Sequence, residues 1–205
     1  PATKPAQTID DRKYRPTDVA LDSKGDIWVA NWCTRSKCAP GNIAEYNSTG
    51  ELLQRIKCPN LMFYTYLAID RHDNIVIDGG GTSYSDAAEI AAGSTECTEL
   101  PAIHVASAGG VAFLKNGDVT VIDQLDNVMR TYAQPTFSEL VATTSFYGVQ
   151  YLSDTAFESG DRTFFASSEG ATAVFEFAYP AGGSPIRTIP NIDFPAGVAI
   201  GPTRK

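Results

Sequence analysis

Apolar and polar residues along the chain fall into short alternating runs separated by Gly, Asn, Asp and Pro, the pattern of strands and turns. Residues 15–31, RPTDVALDSKGDIWVAN, read as an apolar strand, a polar turn containing Gly25, and a second apolar strand. The pattern returns at 65–79 as TYLAIDRHDNIVIDG and at 109–123 as GGVAFLKNGDVTVID. A looser copy, YGVQYLSDTAFESGDRTFFAS, covers 147–167, and the opening strand recurs at 195–202 as PAGVAIGP. Aligning Val19, Leu67, Val111, Val149 and Val198 gives steps of 48, 44, 38 and 49 residues. Further strand-like pieces complete the repeats: NIAEY and ELLQRI in the first, NVMRTY and FSELVA in the third, AVFEFAY and PIRTI in the fourth. Four strands per ~45 residues is the period of a propeller blade. One blade cannot bury both faces of its sheet, so blades must pack against each other around an axis. The alanines of DAAEIAAG (86–93) favour helix, but the repeat register makes the segment a strand.

The expected fold is therefore all-β, a single-domain β-propeller over 1–205 with four complete four-stranded blades plus an incomplete closing blade, five blade positions in all. The blades are placed at 15–58, 63–103, 107–143 and 146–190. The closing blade is drawn from 1–10 and 195–202, because PATKPAQTI aligns with PAGGSPIRTI and Pro16 then aligns with Pro195. That closure puts Ile9 and Val198 in one sheet region. Its missing strands leave an open blade edge, a route to oligomers.

Composition narrows the partners. Hydrophobic residues at 43% supply a core, and the net charge of −8 argues against nucleic acid or an anionic membrane surface. No apolar run approaches the ~20 residues of a membrane span, so no membrane insertion is expected. The four cysteines suit two disulfides and an oxidising compartment, extracellular or periplasmic, with Cys33 joined to Cys38 and Cys58 to Cys97. Free buried thiols are the alternative; the C-x4-C spacing, without a second close pair, does not make a zinc tetrahedron. Asn47-Ser48-Thr49 matches a glycosylation sequon in a turn.

PTDVALDSKGDIWVAN at 16–31, half-repeated as PAGVAIGP, resembles an NHL-type repeat of the gluconolactonase and virginiamycin B lyase superfamily. The resemblance covers the chain through its repeats and implies the propeller fold. It also implies a hard cation, Ca²⁺-like, at one mouth of the channel, polarising a lactone-type carbonyl with a carboxylate as base. The chain departs from that pattern at the start of the first repeat, where the superfamily's Glu has no match and Asp18 is the nearest acid.

Repeat register places Asn31, Gly79, Asp123 and Ser167 at equivalent strand ends, with Asp78, Gln124 and Glu169 beside them. Asn31, Asp78 and Asp123 are the candidate metal ligands, since Ca²⁺ takes 6–8 oxygens from carboxylates and amides. The competing reading is that these side chains cap strand ends on backbone amides. Trp32, Tyr64 and Tyr147, with Gln124 as a polar partner, are the candidate ligand contacts, because aromatic rings beside hydrogen-bonding groups suit sugars and other flat ligands. Trp28, Phe164, Phe165, Phe175 and Phe177 are read as packing. His72 is placed in a solvated turn; His104 lies on the connection into the third repeat, which the resemblance implies reaches the ligand mouth, the competing reading being a structural role. No nucleophile elbow, phosphate loop or zinc-protease motif occurs. The first functional reading is a binding module for a small molecule, carbohydrate or protein; the alternative is a metal-dependent hydrolase or lyase of lactone-type substrates.

Overall fold

A computed structural model describes residues 8–9, 11–38, 40–81 and 84–201. The described residues form sixteen strands and no helix. Blade 1 is β1 (Tyr14–Leu21), β2 (Ile27–Thr34), β3 (Pro40–Tyr46) and β4 (Leu52–Ile56). Blade 2 is β5 (Tyr66–Ile69), β6 (Ile75–Gly80), β7 (Ser85–Ile90) and β8 (Cys97–Val105). Blade 3 is β9 (Ala108–Phe113), β10 (Val119–Asp123), β11 (Val128–Tyr132) and β12 (Leu140–Ser145). Blade 4 is β13 (Leu152–Phe157), β14 (Thr163–Ser168), β15 (Ala173–Ala178) and β16 (Arg187–Pro190). Each blade is an antiparallel meander in chain order. The first strands form the inner row, β1 against β5, β5 against β9 and β9 against β13. The alanine-rich segment is strand β7: its pairing with β6 and β8 overrides helix propensity.

Turn chemistry fixes the first hairpins. Asp22 Oδ1 accepts the N–H groups of Lys24 and Asp26, and Asp70 Oδ1 those of His72 and Asn74. The pairs Leu21–Ile27, Ile69–Ile75, Phe113–Val119 and Phe157–Phe164 close equivalent hairpins. They put Val19, Leu67, Val111 and Thr155 in one row, at steps of 48, 44 and 44. The fourth repeat thus starts six residues later than the alignment on Val149. Residues 148–151 are irregular, with Gly148 and Tyr151 both at positive φ, and β13 begins only at Leu152.

Period-2 alternation gives each blade two apolar faces. Trp28, Ala30, Ile43 and Ile56 of blade 1 pack on Leu67, Ile75, Ile77, Ala88 and Ile90 of blade 2. Val76 and Ala87, from the opposite face of blade 2, pack on Val111, Val119 and Val121 of blade 3. Ile122 and Met129 then pack on Phe164, Ala166, Phe175 and Phe177 of blade 4. Disulfides join Cys33 to Cys38 and Cys58 to Cys97, the second tying the exit of blade 1 to the outer strand of blade 2.

The closing blade is not formed among the described residues. Ile9 packs on Val29, Ala44 and Tyr46 of blade 1, whereas the Val198 N–H donates to Asp154 Oδ2 of blade 4. Residues 195–201 carry no strand. The remainder of the expected closing segments, 1–7, 10 and 202, lies outside the described residues.

Candidate functional site

The strand ends that were expected to share one cation are engaged separately. Asn31 Nδ2 donates to Asp11 Oδ2 at 3.0 Å and to Asn42 Oδ1 at 3.2 Å, and Arg55 bridges the same two acceptors. Asp123 receives Arg130 Nη1 at 2.6 Å and the N–H of Ala106 at 2.8 Å. Burial pushes the Asp123 carboxyl up, but these donors outweigh it and hold the group below its ordinary value. Pairing explains the separation: Asn31 and Asp123 both lie opposite residues that lead into their own third strands, within reach of Arg55 and Arg130.

Asp78 sits one residue earlier in the row, on the opposite face of its strand. It is fully buried; its Oδ1 accepts the Tyr66 N–H at 3.2 Å, and the Gly109 N–H also bears on the carboxyl and pulls its pKa down. Burial, then the charges of Asp18 and Asp154, pushes its carboxyl well above the ordinary range. Asp18 and Asp154 occupy equivalent places on the inner strands β1 and β13. Each clips two amides: Asp18 takes Val19 N–H at 2.7 Å and Leu67 N–H at 2.8 Å, and Asp154 takes Thr155 N–H at 2.7 Å and Val198 N–H at 2.9 Å. Burial and the charge of Asp18 push Asp154 up to about 7. The same row holds Tyr66 in blade 2 and Gly110 in blade 3. A Cβ on Gly110 would stand 2.5 Å from the Thr155 nitrogen, so the row has room for a side chain in blades 1, 2 and 4 only.

The charge of Asp18 bears on Asp78 and on Asp154, and those of Asp78 and Asp154 bear on the buried Tyr66 hydroxyl, which is hydrogen-bonded to Ser153. None of the three acids is ion-paired: the salt bridges among the described residues use Asp11, Asp86, Asp123, Asp126 and Glu176. Their oxygens are too far apart to chelate one ion jointly. The only group of three acidic, His or Cys side chains with ligand atoms within 4.8 Å of one another, among the described residues, is Asp22, Asp26 and Glu45 at the blade 1 turn.

A cavity of about 330 Å³ is lined by Gln124, Tyr151, Ser153, Glu169, Gly170 and Phe194, Ser153 being the chain neighbour of Asp154; Asp18 lines a separate cavity on the blade 1 face. Gln124 is the one expected ligand contact that lines the first. Tyr64 is fully buried and its hydroxyl accepts the Cys58 N–H, so it braces the blade 1–2 junction and offers nothing to a ligand. Trp32 is partly exposed against Phe63, with ring centroids 5.4 Å apart, and Tyr147 is exposed. His104 is exposed, with Nδ1 2.8 Å from Asp86 Oδ1, on the outer strand β8.

No protein-family model and no curated protein matches this chain. Solved structures do. A catalytically inactive variant of virginiamycin B lyase from Staphylococcus aureus, with quinupristin, aligns at TM-score 0.65 and 15% identity over 93% of this chain and 60% of its own. A streptogramin B lyase aligns at 0.64 and 11%, over 89% of this chain and 56% of its own. Glutaminyl cyclase from Myxococcus xanthus aligns at 0.58 and 11%, over 87% and 71%. The chain therefore has a virginiamycin B lyase-like propeller fold and spans well under two thirds of the lyase chains. At these identities the likeness speaks to fold alone.

Proposed function

We propose that this propeller is an extracellular or periplasmic binding module, and that its ligand is a small molecule carrying a protonated amine. What supports this reading is that Asp154 forms no salt bridge among the described residues while its chain neighbour Ser153 lines the Gln124 cavity together with the acid Glu169. A buried carboxylate without a counter-ion is costly, and a cation entering the row relieves that cost. Tyr151 and Phe194 at the rim would cover an apolar or aromatic body, and Gln124 and Ser153 would supply polar contacts. The two disulfides fit an oxidising compartment. The metal-dependent hydrolase or lyase needs Asn31, Asp78 and Asp123 on one cation, and Asp123 is instead held by Arg130.

The test compares benzylamine, its uncharged counterpart benzyl alcohol, and calcium chloride in thermal unfolding at pH 8. Benzylamine should raise Tm, since a ligand of the folded state stabilises it by mass action. Benzyl alcohol should not, and the benzylamine shift should shrink in Asp154→Asn and at pH 5, where Asp154 is protonated. A calcium shift abolished by Asp154→Asn, with none from benzylamine, would move the assignment to a metal site.

A further inference from the structure

The inner hairpin turns, which follow Leu21, Ile69, Phe113 and Phe157, share one geometry. In each, the N–H of the fourth turn residue donates to the carbonyl of the first: Gly25 to Asp22, Asp73 to Asp70, Gly117 to Leu114 and Asp161 to Glu158. These fourth residues all sit at positive φ, 82°, 66°, 92° and 53° in chain order. Where the fourth residue is an aspartate, it caps the turn of the preceding blade. Asp73 Oδ1 accepts the Ser23 N–H at 2.8 Å, and Asp161 Oδ2 accepts the Lys115 N–H at 2.7 Å. Ser23 and Lys115 each hold the second place in their turns. Between blades 2 and 3 the second place belongs to Arg71 and the capping place to Gly117, which has no side chain to offer. The Arg71 N–H accordingly has no acceptor among the described residues.

A cavity of about 580 Å³ is lined by Arg71 and His72 of blade 2, by Lys115, Gly117 and Gln134 of blade 3, and by Glu158 of blade 4. Three successive blades supply its walls, and it lies at the end of β10 opposite to Gln124. Arg71 Nε donates to His72 Nε2 at 3.0 Å, which leaves both Nη groups of the guanidinium for a ligand. Neither Arg71 nor Lys115 is ion-paired among the described residues. A Cβ on Gly117 would stand 2.5 Å from Gln134 Oε1, so a neutral amide lies beside the place from which the other turns send a carboxylate. Two of the acids in the walls are already engaged: Asp70 accepts the His72 and Asn74 N–H groups, and Asp161 accepts that of Lys115. Phe113 and Phe157 complete the lining with apolar surface.

We propose that this cavity is a second binding site, for a small monocarboxylate with an apolar body. The ligand's carboxylate supplies the cap that Gly117 cannot, accepting the Arg71 N–H as Asp73 accepts that of Ser23. The free Nη groups of Arg71 hold the same carboxylate as a bidentate pair, and Lys115 adds a second cation. Phe113 and Phe157 cover the apolar body. Glu158, on the blade 4 wall, selects against a second negative charge. The site lies at the opposite mouth from the Gln124 cavity and stands independently of the amine ligand.

Titration of the protein with 3-phenylpropionate, its neutral amide and phenylsuccinate, followed by amide NMR and by calorimetry, tests this. The Arg71 N–H resonance should move downfield and saturate with 3-phenylpropionate, and should stay in place with the neutral amide. Phenylsuccinate, with its second carboxylate, should bind more weakly. Arg71→Gln removes the charge-assisted contact and should weaken 3-phenylpropionate binding roughly tenfold, with the unfolding curve of the free protein unchanged. Asp154→Asn, at the other mouth, should leave that affinity as it is. An Arg71 N–H that does not move at ligand concentrations up to ~20 mM, or that moves equally with the neutral amide, would overturn the site. Full affinity in Arg71→Gln, or a loss in Asp154→Asn, would place the ligand elsewhere and overturn it equally. Phenylsuccinate binding as tightly as 3-phenylpropionate would overturn the restriction to monocarboxylates.

Discussion

Asp123 and Asp154 are the same residue type at the same mouth of the same ring, and their environments drive them in opposite directions. Asp123 lies at the end of a second strand, where Arg130 on the neighbouring strand reaches it at 2.6 Å and holds it ionised. Asp154 lies on an inner strand, where burial first and then the charge of Asp18 push it up to about 7. Blade 1 repeats the contrast, with Asp11 paired to Arg55 at 2.8 Å while Asp18 clips amides and is pushed up by burial. Reach of an arginine therefore decides the direction: Asp11 and Asp123 are within reach of Arg55 and Arg130 on outer strands of their own blades, whereas Asp18, Asp78 and Asp154 form no salt bridge among the described residues.

The contrast is broken most severely from the paired side. Arg130→Ala leaves the buried Asp123 carboxylate without its cation, and urea unfolding at pH 7 should show a loss of about 3 kcal/mol. A loss under about 1 kcal/mol would mean that backbone amides alone hold Asp123.

The channel side is probed by pH. A carboxyl raised in the folded state contributes stability that is fully present below its unfolded value of 3.8 and is lost as pH climbs through the folded value, about 7 for Asp154. Asp78 is shifted in the same direction. Asp11 and Asp123, held low, contribute in the opposite sense: their share is present above 3.8 and disappears only as pH falls through their lowered values. Unfolding free energy should thus rise by roughly 2 kcal/mol from pH 8 to pH 5. Asp154→Asn should flatten most of that slope; a parent protein that gains stability from pH 5 to pH 8 would contradict it.

The smallest effect is expected at Asp78. Its carboxyl is pushed well above its ordinary range by burial and forms no salt bridge among the described residues, so the isosteric Asp78→Asn should change stability by less than ~1 kcal/mol. The same substitution at Asp123 should cost visibly more in a paired denaturation series.

The blade architecture was legible because period-2 alternation and turn residues recur at a nearly constant spacing, and each repeat must bury both faces. The site was less legible for two physical reasons. Asn31 and Asp123 read as convergent oxygens because sequence spacing shows a shared strand end but not the arginine on a later strand, Arg55 or Arg130, that captures each locality. Asp154 escaped notice because the irregular loop before β13, with Tyr151 at positive φ, shifted the fourth repeat by six residues. Aligning on the hairpin end at Phe157 instead places Asp154 directly opposite Asp18 in the repeat, which is the signal that identifies both. Tyr64 read as a mouth aromatic because its hydroxyl partner, the Cys58 N–H, is defined only once the blade 1 exit folds back over the junction.

The central claim is that Asp18, Asp78 and Asp154 have no counter-ion among the described residues, and carboxyl-carbon NMR titration of the aspartates tests it most directly. The account predicts one aspartate titrating near pH 7 that disappears in Asp154→Asn, and a second that stays protonated well above the ordinary range and disappears in Asp78→Asn. Titration of every aspartate at or below about pH 4, the range of an unperturbed carboxyl, would contradict it.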